Sequence, residues 1–364
     1  MKEHIFKQNR IIDHVRRTGL SNRRALASSL RISNSRVCEF VDRMIDDELL
    51  LEDRPRPERR GRAGVALRIN GSHGHAAGFD IEARRMRLVV LDFAGRTAWQ
   101  CDEPLETPLN RPALVERILG FVDNSLAEAR RRFDAILGVG LAACGLVDAR
   151  RGVILNYSLI PAMRDLPLRE LVAARTGLPC AMEQNMRALT LAEWMGGAAQ
   201  HLHSFICVAV RSGVGAGVVI DGRLHTGAHG FAGEVGYSAV TTPAGALRTL
   251  HDCVSEQALL DDRLSNNAGL SESRARRAGA ILGAQLASMT CLIDPQAIVL
   301  AGSLVQPGGP LWDHVGAAFR RAVIPEQGER VQLLPARLGP FAAAIGAAHH
   351  CLRVLHPPHP ALRT

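Results

Sequence analysis

Residues 76–96 read AAGFDIEARRMRLVVLDFAGR, and residues 205–223 read FICVAVRSGVGAGVVIDGR. Each opens on an apolar strand, makes a polar turn, returns along a second apolar strand and closes on x-Gly-Arg. Short runs rich in Val, Ile and Leu, broken by a polar or glycine-containing turn, are the pattern of buried strands joined as a hairpin. Helical and strand patterns alternate after each hairpin. From Ala76 onward the chain therefore predicts two related α/β halves, an internal duplication.

Upstream of the first hairpin the charge changes. Residues 1–70 carry sixteen Lys and Arg against ten Asp and Glu, a net +6. The remaining 294 residues hold 28 against 26, a net +2. A basic module joined to a nearly neutral body points to a polyanion-binding part attached to something else. The periodicity predicts a helix over His4–Arg17, with Phe6, Ile11, Ile12 and Val15 inward, ended by Gly19. Ser21 is the expected cap of a second helix, Asn22–Leu30, with Leu26 and Leu30 inward. After a tight turn at Arg31-Ile32, Ser33 caps a third helix through about Asp46, with Val37, Phe40, Val41 and Met44 inward. Leu49–Leu51 and Val65–Ile69 read as strands flanking the cationic run Arg54–Arg62.

Three helices, a tight second turn and a two-stranded ribbon spell a winged helix-turn-helix, whose third helix enters the major groove with its first turn leading. That turn carries Ser33, Asn34, Ser35 and Arg36, which suit phosphates and base edges. The tip with Arg59, Arg60 and Arg62 is narrow and cationic enough for a minor groove. A helical module for protein contacts is the competing reading. Helix order, turn spacing and wing together favour double-stranded DNA.

The 364 residues are ample for two or more domains. No apolar run reaches the roughly 20 residues needed to span a bilayer. The first ten residues, MKEHIFKQNR, have no apolar h-region, so no secretory signal is expected. The cysteines, at 38, 101, 144, 180, 207, 253, 291 and 351, form no Cys-x-x-Cys pair. Reduced, buried thiols in a cytoplasmic protein are expected, rather than disulfides or a structural metal.

The chemistry-bearing stretch is MEQNMRALTLAEW, residues 182–194. An apolar strand, Leu178–Met182, runs into Glu183, Gln184 and Asn185, and a helix with Leu189 and Trp194 on its apolar side follows. Strand ends that lead into helices are where open α/β sheets place their ligands. A carboxylate there would take a proton from a substrate hydroxyl. The Asn185 amide cannot.

A winged helix-turn-helix followed by GFD, GVGLAACGLVD, GLPCAMEQNMRALTLAE, RSGVGAGVVIDGRLHTGAHGFAGEVGY and DPQAIVLAGSLV resembles the ROK family over nearly the whole chain. That family contains sugar kinases and sugar-responsive transcriptional repressors. The resemblance implies an α/β, two-lobed actin-like ATPase fold with a sugar site between the lobes and a homo-oligomer, dimer or tetramer. It divides the chain into a DNA-binding domain, residues 1–70, and an effector and oligomerisation domain, residues 71–364. Lobe one is then about 74–190 plus the C-terminal helix, and lobe two about 191–342.

The departures from the kinase pattern decide the expected function. The family kinases have an Asp-x-Gly-Gly-Thr phosphate turn, whose glycines let backbone N–H groups approach phosphates. Here Asp80 is followed by Ile81-Glu82-Ala83-Arg84, which puts an acidic side chain where phosphate oxygens would lie. The second turn, Ser212–Gly217, keeps its glycines, for hairpin geometry or for nucleotide. The kinases have Asn-Asp where this chain has Gln184-Asn185. The family's zinc histidine is Tyr237 here, and its cysteine run, Ala246–Cys253, retains only Cys253, with His225, His229 and His251 as poor substitutes. No metal, no other cofactor and no catalysis are therefore expected. His349, His350, His356 and His359 read as tail and surface.

What the resemblance leaves is a pocket. Asn156 and Gly145 match positions that line the sugar site, and Glu234 keeps a sugar-binding carboxylate. Gln184 and Asn185 can still bond hydroxyls in both directions. Tyr237 adds a phenol, and Glu256 stands one residue past the family's last glutamate position, Ser255. The chain thus reads as a cytoplasmic sugar-responsive regulator, a repressor, that binds operator DNA as a homo-oligomer and a sugar or related polyol as effector. An active ROK sugar kinase with a DNA-binding appendage is one alternative. A regulator controlled by a protein partner is the other.

Overall fold

Residues 2–53, 65–241, 245–260 and 270–355 are described by the computed structural model. The N-terminal part is α1 (Lys2–Thr18), α2 (Arg23–Leu30), α3 (Asn34–Asp46), β1 (Leu50–Asp53) and β2 (Ala66–Ile69). The apolar stripes are buried as the periodicity requires: Ile11, Ile12 and Val15 of α1, Leu26 and Leu30 of α2, Val37, Phe40, Val41 and Met44 of α3. Fully burying a side chain of this size contributes about 1.5–3 kcal/mol. Gly19 ends α1 at φ 76°, and Arg31 makes the α2–α3 turn in the left-handed region at φ 54°.

Two details of this part correct the sequence reading. The cap of α2 is Asn22, whose side chain accepts from the Ala25 N–H at 2.8 Å. Ser21 instead pairs its backbone with Leu67, which ties the α1–α2 loop to β2. Ser33 occupies the cap position of α3 but makes no capping bond, and its Oγ lies 3.4 Å from Ser35 Oγ. The ribbon β1–β2 is antiparallel, with Leu50 opposite Ile69. Arg59, Arg60 and Arg62, at the expected tip, lie outside the described residues.

The chain continues with β3 (His75–Ile81), β4 (Arg85–Asp92), β5 (Thr97–Pro104), α4 (Arg111–Arg132), β6 (Ile136–Ala143), β7 (Leu146–Asp148), β8 (Val153–Asn156), α5 (Leu168–Thr176) and β9 (Cys180–Gln184). Next come α6 (Asn185–Gly196), β10 (Phe205–Val210), β11 (Val214–Ile220), β12 (Arg223–His225), β13 (Ala239–Thr241), β14 (Leu247–Thr249), α7 (Leu250–Val254) and α8 (Glu256–Leu260). The rest is α9 (Glu272–Ile293), β15 (Ala297–Ala301), α10 (Trp312–Ala322), α11 (Pro325–Gly328), β16 (Gln332–Pro335) and α12 (Ala342–Leu355).

The duplication is visible in strand order. One five-stranded sheet runs β5-β4-β3-β6-β9 and the other β12-β11-β10-β15-β16. In each, a central strand pairs antiparallel with its hairpin partner and parallel with the strand that follows a crossover: β3 with β4 and β6, β10 with β11 and β15. Central strands are buried along nearly their whole length, whereas edge strand β5 alternates toward solvent. That is the signature of sheets covered by helices on both faces. The fold is α/β, two mixed sheets flanked by helices, preceded by the N-terminal helical part.

The chain forms two compact units, one of Met1–Ala143, Arg150–Glu183 and Ala344–Thr364, the other of Cys144–Ala149 and Gln184–Ala343. In the first, α12 lies directly on the sheet. A Cβ on Gly78 of β3 would stand 2.1 Å from the Ala344 carbonyl, and one on Gly140 of β6 would stand 1.9 Å from that of Ala347. Only glycine permits this approach of helix backbone to strand. In the second, Ile206, Val208, Leu282, Leu286, Leu300, Val315 and Phe319 share one core. No helix among the described residues is long and apolar enough to cross a membrane.

None of the eight cysteines is joined in a disulfide. Cys291 is exposed, against the expectation of buried thiols, because it falls on the outer side of α9. His349 also departs from expectation: it is buried, 4% exposed, because it sits on the inward side of α12 rather than on a tail. His356 and His359 lie outside the described residues.

Candidate functional site

The first turn of α3 presents Asn34, Ser35 and Arg36, all exposed, with exposed Ser33 just before it. Val37 and Phe40 bury the other side, so the polar residues are held outward by core packing. Arg23 fastens α3 to its neighbours, donating at 2.6 Å to Asp42 of α3 and at 2.6 Å to Glu52 of β1. No ion pair of Arg36 occurs among the described residues. Arg36 is exposed, and a bidentate fork of this kind is suited to phosphate or guanine.

In the first unit, the β3–β4 hairpin carries Asp80 opposite Arg87. Asp80, Glu82 and Arg87 are all buried. Arg87 Nη1 donates to Glu82 Oε2 at 2.7 Å and to Asp80 Oδ2 at 3.4 Å. Glu82 is therefore neutralised from inside the sheet rather than left as a bare charge in the turn. The residues present do not fit a nucleotide with its magnesium: the glycines are absent and the carboxylates are already paired. Asn156 ends β8 and is exposed.

In the second unit, Gln184 does two things. Its Oε1 caps α6, accepting from the N–H groups of Met186 at 2.8 Å and Arg187 at 3.1 Å. Its Nε2 donates to Glu234 Oε1 at 3.4 Å. The strand ends two residues later than its apolar run suggests, because Glu183 and Gln184 continue the extended backbone of β9. Asn185, the first residue of α6, donates from Nδ2 to Cys144 Sγ at 3.1 Å. Next to Cys144, Gly145 turns the chain at φ 83°.

Glu234 sits in the turn before Val235–Tyr237. Burial pushes its carboxyl up to about 7, against the opposing charge of Arg187. Arg187 is itself 1% exposed, and its Nη1 donates to the Gly230 carbonyl at 2.8 Å. Tyr237 is half exposed and sets its ring edge-on to His251, with centroids 5.2 Å apart at 90°. Burial first, and then the Glu234 charge, raise its phenol. His251 Nδ1 accepts from the Val214 N–H at 2.8 Å. A Cβ on Gly236 would meet the same imidazole at 2.3 Å. The imidazole thus staples the Glu234–Tyr237 turn to the start of β11.

This donor set does not fit a structural zinc. His251 Nδ1 is used by a backbone amide, Tyr237 replaces an imidazole with a ring contact, and Cys253 is the one thiol of its run. Among the described residues, no group of three or more His, Cys, Asp or Glu is placed to hold a metal ion. Glu256 begins α8, with its N–H on the Arg211 carbonyl at 2.8 Å and its Oε1 on Ser303 Oγ at 3.0 Å. The neighbouring Ser255 accepts from the Ala258 N–H at 3.1 Å and is buried.

The second hairpin's glycines have a packing reason. A Cβ on Gly217 would stand 2.0 Å from Thr190 Oγ1, and one on Gly215 would stand 2.6 Å from Met186 Cγ. These glycines seat α6 on β11. Helix α6 is buried all round from Met186 to Met195, charged Arg187 and Glu193 included. Glu193 is 0% exposed and accepts from the backbone N–H groups of Ala198 (2.7 Å), Arg337 (3.0 Å) and Leu338 (2.9 Å). The sequence reading did not single out Arg87, Arg187, Glu193 or Cys144. A charge inside an otherwise apolar run was the available signal for the first three, since such a charge survives burial only with partners.

Fold and site define a scaffold of two mixed sheets, with a buried Arg87–Glu82 pair in the first hairpin, Gln184-Asn185 at the β9–α6 junction and an N-terminal helical module. The ROK family profile matches residues 76–353, and the chain belongs to that family. It is 23% identical over 361 residues to the xylose repressor of Bacillus spizizenii, a match covering 93% of each chain. It is 25% identical over 246 residues to the xylose repressor of Caldicellulosiruptor bescii, where the match spans 61% of that protein. Among solved structures, a ROK family transcriptional regulator, a homolog of the E. coli MLC protein, aligns over 96% of this chain and 97% of its own at TM-score 0.77 and 20% identity. A ROK glucokinase from Streptomyces griseus, solved with glucose and AMPPNP, aligns over 76% of this chain and 98% of its own at TM-score 0.65 and 26% identity. The kinase match thus leaves about a quarter of this chain unaccounted for, whereas the regulator match extends through nearly all of it.

Proposed function

We propose that this chain is a non-catalytic, sugar-responsive transcriptional regulator, acting as a repressor. It binds operator DNA as a homo-oligomer through Ser33, Asn34, Ser35 and Arg36, with Arg59, Arg60 and Arg62 as further phosphate or minor-groove contacts. It binds a sugar or related polyol through Gln184, Asn185, Glu234 and Tyr237, with Gly145, Asn156 and Glu256 as further candidates. One observation carries the non-catalytic reading. The residue at the start of α6 is an amide that donates to Cys144 Sγ, and an amide oxygen can accept a hydrogen bond but is far too weak a base to take a hydroxyl proton. The buried Arg87–Glu82 pair in the first hairpin and the end-to-end match to repressors support it.

For the sugar to control DNA binding it must bind one conformation better than another, since equal affinity shifts nothing. Two experiments test the reading. A thermal-shift panel of D-xylose, D-glucose and N-acetylglucosamine should give a concentration-dependent rise in Tm for at least one sugar. Selection from a randomised duplex pool should enrich a paired half-site sequence, as a symmetric homo-oligomer requires. No stabilisation by any sugar moves the reading toward a protein partner. Sugar-dependent ADP release returns it to a kinase.

A further inference from the structure

Helix α1 belongs by sequence to the DNA-binding part, yet one stripe of it is built into the first unit's effector portion. Asn9 Nδ2 donates to the Arg353 carbonyl at 3.1 Å. Asp13 Oδ2 accepts from Arg353 Nε at 2.8 Å. Arg16 donates through Nε at 3.3 Å and Nη2 at 2.8 Å to the Phe93 carbonyl, and its guanidinium lies 5.3 Å from the Phe93 ring centroid. These three residues stand at i, i+4 and i+7, one face of a helix. Buried Ile11 and Val15 occupy a different face, and buried Ile12 borders the polar stripe beside Arg16.

The joint is ionic and incompletely satisfied. The Arg16 side chain is 2% exposed and its nearest carboxylate contact is Asp13 Oδ1, 3.8 Å from Nη1. A Cβ on Gly95 would meet His349 Cε1 at 2.6 Å and Arg16 Cδ at 3.1 Å, so imidazole and guanidinium share the space above Gly95. Burial holds Arg16 down at about 10 and His349 down at about 3. Asn9 Oδ1, Asp13 Oδ1, Arg16 Nη1 and His349 Nδ1 are buried with no hydrogen-bond partner among the described residues. An apolar joint would glue two parts together more strongly. A polar one with so few partners is demanding of geometry: it holds one pose and loses most of its bonds in any other.

The connection between the two parts is docked as well. Gly71–His73 forms a single helical turn, the Phe93 N–H donates to the Gly71 carbonyl at 3.2 Å, and the His73 and Phe93 rings lie 4.8 Å apart. Helix α12, which supplies Arg353 and His349, rests on glycines of the central strands. We propose that Asn9, Asp13 and Arg16 of α1, with Arg353 and His349 of α12, form a positioning joint that fixes the pose of the DNA-reading helix α3 on the first unit, so that operator half-site spacing is set at this joint. The inference rests on the DNA-binding reading above.

The test uses full-length Asp13→Asn and Arg353→Gln, neither of which touches the reading helix. Affinity is measured for the selected two-half-site duplex, for the same duplex with its spacer altered by one to three base pairs, and for a single half-site. Each variant should lose tenfold or more on the native spacing, discriminate less between spacings, and keep half-site affinity and salt dependence within twofold. The double variant should be no worse than the worse single one. Hydrogen exchange on residues 9–18 should quicken in both variants, with α9 and α10 unchanged. Unaltered spacing preference with unaltered exchange in α1 overturns the joint. Equal loss on half-site and full site also overturns it, since that marks a general loss of structure. If the wild type selects no duplex, the DNA-binding reading itself has failed. Exchange in α1 then decides alone whether the joint exists.

Discussion

The two hairpins share one strand pattern but are closed in opposite ways. In β3–β4 the turn carries no glycine, and the sheet holds a buried Arg87 that donates to Asp80 and Glu82. In β10–β11 the glycines remain, but they face α6 and His251 rather than an open turn. One hairpin is closed by an internal ion pair, the other by close packing of a helix. The comparison teaches that a retained glycine motif is no evidence of a retained ligand. Gly215 and Gly217 have a sufficient reason in the helix they seat.

The largest expected effect tests the ion pair. Arg87→Met leaves two carboxylates buried without their cation and should cost about 3–5 kcal/mol in urea unfolding at neutral pH. Combining it with Asp80→Asn and Glu82→Gln should recover most of that loss, since a matched neutral set replaces the charges. A mild cost for Arg87→Met alone would show that the hairpin is not held by this pair.

Gly217→Ala probes the other hairpin in the same assay. Its Cβ would meet Thr190 Oγ1 at 2.0 Å, so α6 must shift, at roughly 1–3 kcal/mol. The variant should also weaken sugar binding, because α6 carries Gln184 as its cap. A stable variant with unchanged sugar affinity would return the glycines to a nucleotide role.

Glu234 separates site from scaffold by pH. Its carboxyl is raised from an ordinary 4.5 to about 7 by burial. The folded state therefore holds a proton between those values that the unfolded chain has released. Stability from this group is full below about 4.5 and is lost as pH rises through about 7. Glu234→Gln removes the term, so the sugar-free variant should gain on the order of 1–2 kcal/mol over wild type at pH 8 and almost nothing at pH 4.5. At pH 8, where the wild-type carboxyl is ionised, the same variant should bind sugar less tightly, since charge-assisted bonds to hydroxyls are the stronger kind. Parallel pH–Tm curves for the two proteins would contradict the burial argument.

The smallest expected effect is none at all. Asn185→Asp puts a carboxylate at the start of α6, yet kinase turnover should stay at background, because the Arg87–Glu82 pair still closes the β3–β4 turn. Turnover from this single change would mean that the first hairpin still admits nucleotide.

Much of the fold was legible because hydrophobic periodicity carries it. The inward residues of α1, α2 and α3 and both hairpins follow from spacing alone. Element ends were less legible, since Asn22 and Ser21 are equally good caps by type and only the pairing of Ser21 with Leu67 distinguishes them. The site was half legible. Gln184, Asn185 and Glu234 stand out as polar groups at strand ends and in a turn, but the capping role of Gln184 depends on where β9 stops. Arg87 and Glu193 were missed because their partners lie across a strand pair or more than a hundred residues away. His349 was misplaced because a histidine near a chain end reads as surface until the helix bearing it is known to face the sheet.

One measurement bears most directly on the central claim that the scaffold senses a sugar without phosphorylating it. Fluorescence anisotropy of the selected duplex bound to wild-type protein is followed while each sugar of the panel is added in the presence of ATP and magnesium, with ADP monitored in the same cuvette. The account predicts that at least one sugar changes duplex affinity while ADP stays at background. Sugar-dependent ADP formation, or duplex affinity indifferent to every sugar tested, would contradict it.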